Sequence, residues 1–292
     1  MTAEPQSPAG LAGGRDSRFA QLIITIFGLY ARAEGNWLSV AAVVALMADL
    51  GIESQPARSS ISRLKRRGVL DSRRLAGIAG YALSAPTLEV LAEGDVRIFE
   101  RTRATERDGW VLVVFSVPES EREKRHALRA SLIRLGFGTT APGVWIAPEN
   151  LAREARDTLQ RRELSEYVDI FTGQHFAFDD VRSKVRAWWD LDELTQLYAD
   201  FLRRYEPVRH RVSADGTTPR EAFQIYVPML TRWRQLPYRD PGLPLSLLPA
   251  DWNGVTAGDL FADLNATLAP LAQMHAMKVL HGKRANGDPT QP

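Results

Sequence analysis

The amino-acid sequence predicts an α+β protein with several domains, and three observations lead to this expectation. Apolar residues recur at helical spacing in the first quarter of the chain. Residues 109–175 instead combine short apolar runs with amphipathic stretches, a pattern typical of strands and helices in one domain. Residues 176–282 return to helical spacing. The chain has 292 residues, 45% of them hydrophobic, which is enough for two or three separate cores.

The composition excludes several classes of protein. The chain has no cysteine, so disulfides, thiolate zinc sites and a cysteine nucleophile are ruled out. The absence of cysteine fits a reducing cytoplasm, and no apolar run has the length of a membrane-spanning helix. We expect residues 1–17 and 283–292 to be disordered tails; the first is rich in Ala, Gly, Pro and Ser and lacks the apolar core of a signal peptide.

The N-terminal segment, residues 18–85, predicts three helices followed by two short strands. A wide apolar stripe over 18–33 indicates a well-buried first helix. Ser39 is suited to cap a second helix, because its hydroxyl can accept from a backbone N–H of the first turn, and Gly51 ends that helix. Three to four residues separate the second helix from the third, which is helix-turn-helix spacing.

The third helix is the most informative part of the chain. It starts near Ser54 and ends at Gly68, with Pro56 in the first turn, where a missing N–H costs little. Apolar residues fall on one side of it, and basic residues and hydroxyls fall on the other. Residues 54–74 carry seven basic side chains and one acidic one, a net charge of +6 against +2 for the whole chain. Such a concentrated patch is suited to phosphates.

Two short strands, 69–70 and 81–83, follow this helix and enclose a basic loop. The arrangement is typical of a winged helix-turn-helix, in which the last helix enters the major groove and the wing lies against the phosphate backbone. The alternative is a basic surface that contacts only solvent. The predicted DNA-binding residues are Gln55, Arg58, Ser59, Ser62, Arg63, Lys65, Arg66, Arg67, Arg73 and Arg74.

The remaining segments predict a connecting helix, a mixed domain and a helical domain. Residues 86–108 contain the connecting helix, and 109–175 show the order strand, helix, strand, strand, helix, strand, which suggests a ferredoxin-like fold. That fold has many functions, so it indicates none by itself. Residues 176–282 predict helices, the first capped by Asp190, with a proline-rich loop before the last helix.

Two stretches of the chain resemble the PaaX family, the repressors of bacterial phenylacetic acid catabolism. The first, 57–68, is Ala-Arg-Ser-Ser-Ile-Ser-Arg-Leu-Lys-Arg-Arg-Gly, and the second is the proline-rich loop 236–254. Ser60 and Ile61 depart from the Ala-Leu of the family pattern, but both lie on the buried side. The resemblance implies a dimeric, cytoplasmic winged-helix repressor of double-stranded DNA with a ferredoxin-like middle domain. It also implies an acyl-CoA inducer, with phenylacetyl-CoA or a relative as the expected molecule.

A CoA thioester needs Arg or Lys for its phosphates and an apolar pocket for its acyl group. Both kinds of side chain occur beside the proline-rich loop. The alternative is that the tryptophans are core residues and the arginines face water. The candidate inducer-binding residues are Arg232, Trp233, Arg234, Tyr238 and Trp252.

We find no catalytic, metal or cofactor motif and expect the protein not to be an enzyme. The alternatives are a metal-dependent nuclease or an acyl-CoA hydrolase that acts through the middle domain. The small nuclease-like subunit of CRISPR adaptation has the same kind of domain, with an acidic residue at the end of its first strand. Here Ser116 stands at that place, and a metal-dependent nuclease needs carboxylates for its cation.

Overall fold

The structure is a computed structural model that describes residues 15–100, 102–175 and 180–282, and it shows a mixed α+β protein as predicted. The predicted tails fall outside these residues, except that the first helix begins at Arg15. The chain forms two compact units. The first contains the described residues up to Val96, Arg203–Trp233 and those from Gly258; the second contains Arg97–Leu202 and Arg234–Ala257. No helix of the described residues is long and apolar enough to cross a membrane.

The first unit opens with three helices and a three-stranded antiparallel sheet in the order β1-β3-β2. Helix α1 continues as one π-helical turn and one 3₁₀ turn to Glu34. Ser39 caps α2 as predicted, because its hydroxyl accepts from the Ala42 N–H at 3.1 Å. The elements are α1 (Arg15–Ile26), β1 (Leu38–Ser39), α2 (Val40–Asp49), α3 (Ser54–Arg66), β2 (Leu70–Leu75), β3 (Ile78–Leu83) and α4 (Ala85–Phe99).

Helices from the C-terminal part of the chain complete the core of the first unit. They are α9 (Pro219–Trp233) and most of α10 (Gly254–Gly282). Helix α1 packs on α9, where the hydroxyls of Thr25 and Thr231 lie 2.7 Å apart in a buried hydrogen bond. The rings of Tyr30 and Phe223, both almost fully buried, lie 5.9 Å apart. Helix α1 therefore shares its core with a helix that is distant in the chain, since Thr25 and Thr231 are 206 residues apart.

The second unit contains a four-stranded antiparallel sheet in the order β5-β6-β4-β7. Its strands and helices follow one another in the predicted order. Two helices cover one side of the sheet with a core that includes Val111, Leu128 and Leu159. The elements are β4 (Trp110–Phe115), α5 (Arg122–Arg134), β5 (Gly138–Ala141), β6 (Val144–Pro148), α6 (Ala152–Arg161), β7 (Val168–Gly173), α7 (Val181–Trp188) and α8 (Leu191–Asp215), the last of which continues beyond this unit.

Two arginines of the second unit hold the proline-rich loop 236–254. The first, Arg97, lies in the connecting helix α4, which ends at Phe99 and is therefore shorter than the predicted segment 86–108. Arg97 is 6% exposed and donates to the Pro237 carbonyl at 3.0 Å. Arg103 donates to the Leu243 carbonyl at 2.8 Å and to the buried carboxylate of Asp240 at 3.2 Å. These charge-assisted bonds fix the conformation of the loop, because breaking either would leave a buried polar group unpaired.

Candidate nucleic-acid interface

Helix α3 has one buried side and one exposed side. Ala57, Ile61 and Leu64 are at most 2% exposed and pack against α1 and α2. Ser60 is fully buried between them. Gly68 adopts a φ of +67°, which ends the helix as predicted, since a left-handed residue at this position favours glycine. The apolar side of the predicted helix is therefore the side that fixes it to the first unit.

The opposite side of α3 is open to solvent. Arg63 and Arg67 are half-buried, and Arg63 donates to the Ser60 hydroxyl at 3.2 Å. The Arg58 side chain donates to the Ser54 hydroxyl at 3.3 Å near the start of the helix. The structure thus brings long donors and small hydroxyls together on one surface. The exposed residues of this side are Gln55, Arg58, Ser59, Ser62, Lys65 and Arg66.

Arg73 and Arg74 lie in strand β2 and not in a loop, which corrects the predicted extent of the wing. The strands β2 and β3 run from residue 70 to 83 and are joined only by the turn Ala76-Gly77. Both turn residues have positive φ, as two-residue hairpin turns of this kind require. The Arg74 guanidinium donates to the Gly77 carbonyl at 3.2 Å. The basic segment is therefore a regular hairpin.

Trp37 fixes the middle of this hairpin, at the Arg73–Gly80 pair, to the rest of the sheet. Its indole N–H donates to the Arg73 carbonyl at 3.1 Å. Its ring lies against Gly80, where a Cβ would overlap the ring and the Leu38 carbonyl. Gly80 also lies in a strand and not in the loop that its sequence suggests. A glycine is required here for the close approach of the indole.

Five cations of this surface have no neighbouring carboxylate in the part of the chain that the structure describes. No carboxylate oxygen of the described residues lies within 4.0 Å of the side-chain cations of Arg58, Lys65, Arg66, Arg73 or Arg74. Cations in the last turn of a helix also stabilise the helix by interacting with its dipole, and this is a structural reason for part of the positive charge on α3. That explanation does not apply to the hairpin arginines. The helix and hairpin together form a positive surface suited to a polyanion.

The C-terminal end of α2 is held by side chains from α9 and α10. The Asp49 carboxylate accepts from Arg220 at 3.0 Å and contacts His275 at 2.8 Å. The Asp49 carbonyl accepts from Gln224 at 2.8 Å. Sequence reasoning missed this cluster, although Asp49 is the one charged residue in the otherwise apolar sequence of α2. The contacts fix the helix that precedes α3.

The structure gives the five candidate inducer-binding residues different surroundings. Trp233 is 6% exposed and stacks on Phe261 with ring centroids 4.5 Å apart. Arg232 is exposed, whereas burial lowers the pKa of Arg234 to about 10. Burial also raises the pKa of Tyr238.

The fifth candidate, Trp252, is half-buried and lies edge-on to Tyr198, with centroids 5.5 Å apart. The guanidinium of Arg103 lies 5.8 Å from the centre of its ring. Its indole nitrogen is buried without a hydrogen-bond partner in the described part of the chain. Trp252 therefore has a cation beside its ring, and its own indole N–H has no acceptor among the described residues.

A cavity of about 250 Å³ lies in the second unit, between β4, the segment before it and the proline-rich loop. Trp110, His175 and Leu247 line it, and none of the five candidates does. In the described ranges, no group of three or more His, Asp or Glu side chains is arranged to hold a metal ion.

Comparisons with known proteins cover almost the whole chain. Family models match residues 18–87 (PaaX-like protein), 103–185 (PaaX protein central Cas2-like domain) and 189–278 (PaaX-like protein C-terminal domain). The transcriptional repressor PaaX of Escherichia coli (strain K12) is 26% identical over 256 residues, which are 86% of this chain and 80% of that protein. A solved structure, the uncharacterized protein Rv0674 from Mycobacterium tuberculosis, is similar in fold, with a TM-score of 0.55 and 24% identity. That match covers 86% of this chain and 96% of the other. The chain belongs to the PaaX family.

Proposed function

We propose that this protein is a transcriptional repressor that binds double-stranded DNA through α3 and the β2–β3 hairpin. The observation that carries the proposal is the exposed basic surface, in which five cations have no carboxylate of the described residues beside them while the other side of α3 is buried. The Escherichia coli relative, a transcriptional repressor, supports the same function. A regulator of this kind acts on DNA in the cytoplasm and is not an enzyme.

We propose that α1 to α3 and the sheet β1-β3-β2 form a winged helix-turn-helix over residues 18–85. In such a domain α3 lies in the major groove, with Gln55, Arg58 and Ser59 near its N-terminus facing base edges. Arg73 and Arg74 then lie against the phosphate backbone. The order β5-β6-β4-β7 supports a ferredoxin-like domain over 109–175, with a helical domain over 176–282.

We also propose that the repressor is a homodimer on a roughly palindromic operator, with half-sites one or more helical turns apart. An acyl-CoA, with phenylacetyl-CoA or a relative as the candidate, would release it. Such an inducer releases DNA only if it binds the DNA-free geometry of the dimer more tightly than the bound one. The five candidate residues from Arg232 to Trp252 stay our prediction for its site.

The proposal is tested with duplexes of about 30 base pairs that the full-length protein selects from a random-sequence pool. We expect selection of a palindromic sequence and a preference over its scrambled version of about a thousandfold or more. Phenylacetyl-CoA, but not free CoA, should lower the affinity. The absence of any sequence preference would contradict the repressor function, and cleavage of the duplex in the presence of Mg²⁺ would support the nuclease alternative instead.

A further inference from the structure

The tip of the β2–β3 hairpin carries two exposed apolar side chains. Leu75 is 41% exposed and Ile78 is 51% exposed. They lie directly opposite each other in the strand register, on either side of the turn Ala76-Gly77. Paired side chains at such a position are neighbours on one side of the ribbon. The hairpin therefore ends in a small apolar edge that nothing in the described residues covers.

This apolar edge is narrow, and two arginines of strand β2 lie beside it. Neighbouring strands lie about 4.8 Å apart, so a two-residue turn presents only two side chains abreast. The Arg74 guanidinium is held at the turn by its bond to the Gly77 carbonyl at 3.2 Å, and Arg73 is exposed two residues before Leu75. An apolar tip with two arginines beside it on strand β2 matches a surface that is anionic outside and apolar inside. The minor groove of DNA has this chemistry, because phosphates border the stacked bases.

The length of the hairpin fits the same partner. Strand β2 has six residues from the base at Leu70, which is buried, to Leu75 at the tip. At about 3.4 Å per residue it spans roughly 17 Å. One turn of the double helix is about 34 Å long, so the minor groove beside a major-groove site lies roughly 17 Å along the axis. That groove is about 6 Å wide and admits two side chains but not a whole β-ribbon.

We propose that Leu75 and Ile78 form an apolar wedge that enters the minor groove beside the α3 site and partly unstacks one base step. This inference rests on the proposed function. Wedges of this kind kink the duplex toward the major groove. Flexible pyrimidine–purine steps such as TA are the easiest to open, so the wedge would favour such a step at a position that α3 does not reach.

The test compares wild-type protein with the double variant Leu75→Ser, Ile78→Ser on the duplex selected by the wild type. The bend is measured by circular-permutation electrophoresis and the affinity by fluorescence anisotropy. We expect the variant to lose most of the bend and to bind about tenfold or more weakly, with an unchanged salt slope. Ile133→Ser removes an apolar side chain of similar exposure, 58%, from α5 and should change neither value.

Three outcomes separate the possibilities. A double variant that binds and bends the selected duplex like the wild type overturns the wedge and leaves the repressor function intact. A variant that loses dimer mass in sedimentation would show that a second copy of the chain covers the tip, which also overturns the wedge. If the wild type selects no duplex at all, the proposed function itself fails. Both side chains are exposed, so we expect the double variant to fold. A normal melting temperature confirms this.

Discussion

The substitution Arg73→Ala tests whether the hairpin contacts phosphates. Its side chain is exposed and has no carboxylate partner in the described residues, whereas the bond to Trp37 uses the Arg73 carbonyl and survives the substitution. Each phosphate contact contributes about 0.9 to the slope of log K against log salt. A homodimer loses one contact in each half-site, two in all, so the slope falls by about 1.8 and the penalty of raising salt from 50 to 200 mM shrinks by about 12-fold.

The assay is a fluorescence-anisotropy titration at four or more salt concentrations, on the selected duplex and on its scrambled version. We expect the slope to fall equally on both, because phosphates carry no sequence information. Arg129→Ala is the matched control, since it removes an exposed arginine of α5 in the second unit. An unchanged slope in the Arg73 variant, or an equal fall in the control, would refute the placement of the hairpin on the backbone.

Three further predictions concern α3, α2 and the middle of the hairpin. Arg58→Ala should cost about 1–3 kcal/mol on the selected duplex and little on scrambled DNA, and equal losses on both would contradict base reading. Asp49→Ala removes the acceptor shared by two side chains and should cost about 1–2 kcal/mol of stability, a melting temperature lower by a few degrees. The exposed ion pair between Glu193 and Arg239 serves as the control. A similar fall in the melting temperature of Glu193→Ala would contradict a special stabilising role of the Asp49 cluster. Gly80→Ala should lower the melting temperature and weaken DNA binding, because the added Cβ would overlap the Trp37 ring and the Leu38 carbonyl; unchanged melting and binding would show that this close approach is not required.

The helices of the first unit could be predicted because their signals are local. Ser39, Pro56 and Gly68 mark helix ends by the hydrogen bonds and φ values that those residue types favour, and the structure confirms these ends. The apolar residues of α3 also fall on its buried side. The predicted strands of the hairpin are too short, because Ser72, Arg73 and their neighbours are exposed on both sides of the ribbon. Their sequence therefore lacks the alternation of apolar and polar residues that indicates a strand.

The long-range contacts that hold the proline-rich loop and the end of α2 could not be predicted, because they join distant parts of the chain. Arg97 follows a charged stretch and reads as a solvent-exposed helix residue, yet it is buried where its guanidinium satisfies two backbone carbonyls. The cluster at Asp49 needs residues 171 to 226 positions away. No periodicity within one helix indicates such partners. The exposed basic side of α3 was recognised because it needs no partner from elsewhere in the chain.

The shared core of α1 and α9 has a consequence during synthesis on the ribosome. Thr25 and Thr231 are 206 residues apart. At about 5–20 residues per second, the nascent chain waits roughly 10–40 s between making the first threonine and making its partner. Throughout that interval the N-terminal helices exist without the segment that closes their interior. The first unit can therefore complete this part of its core only after Thr231 and the rest of α9 have been synthesised.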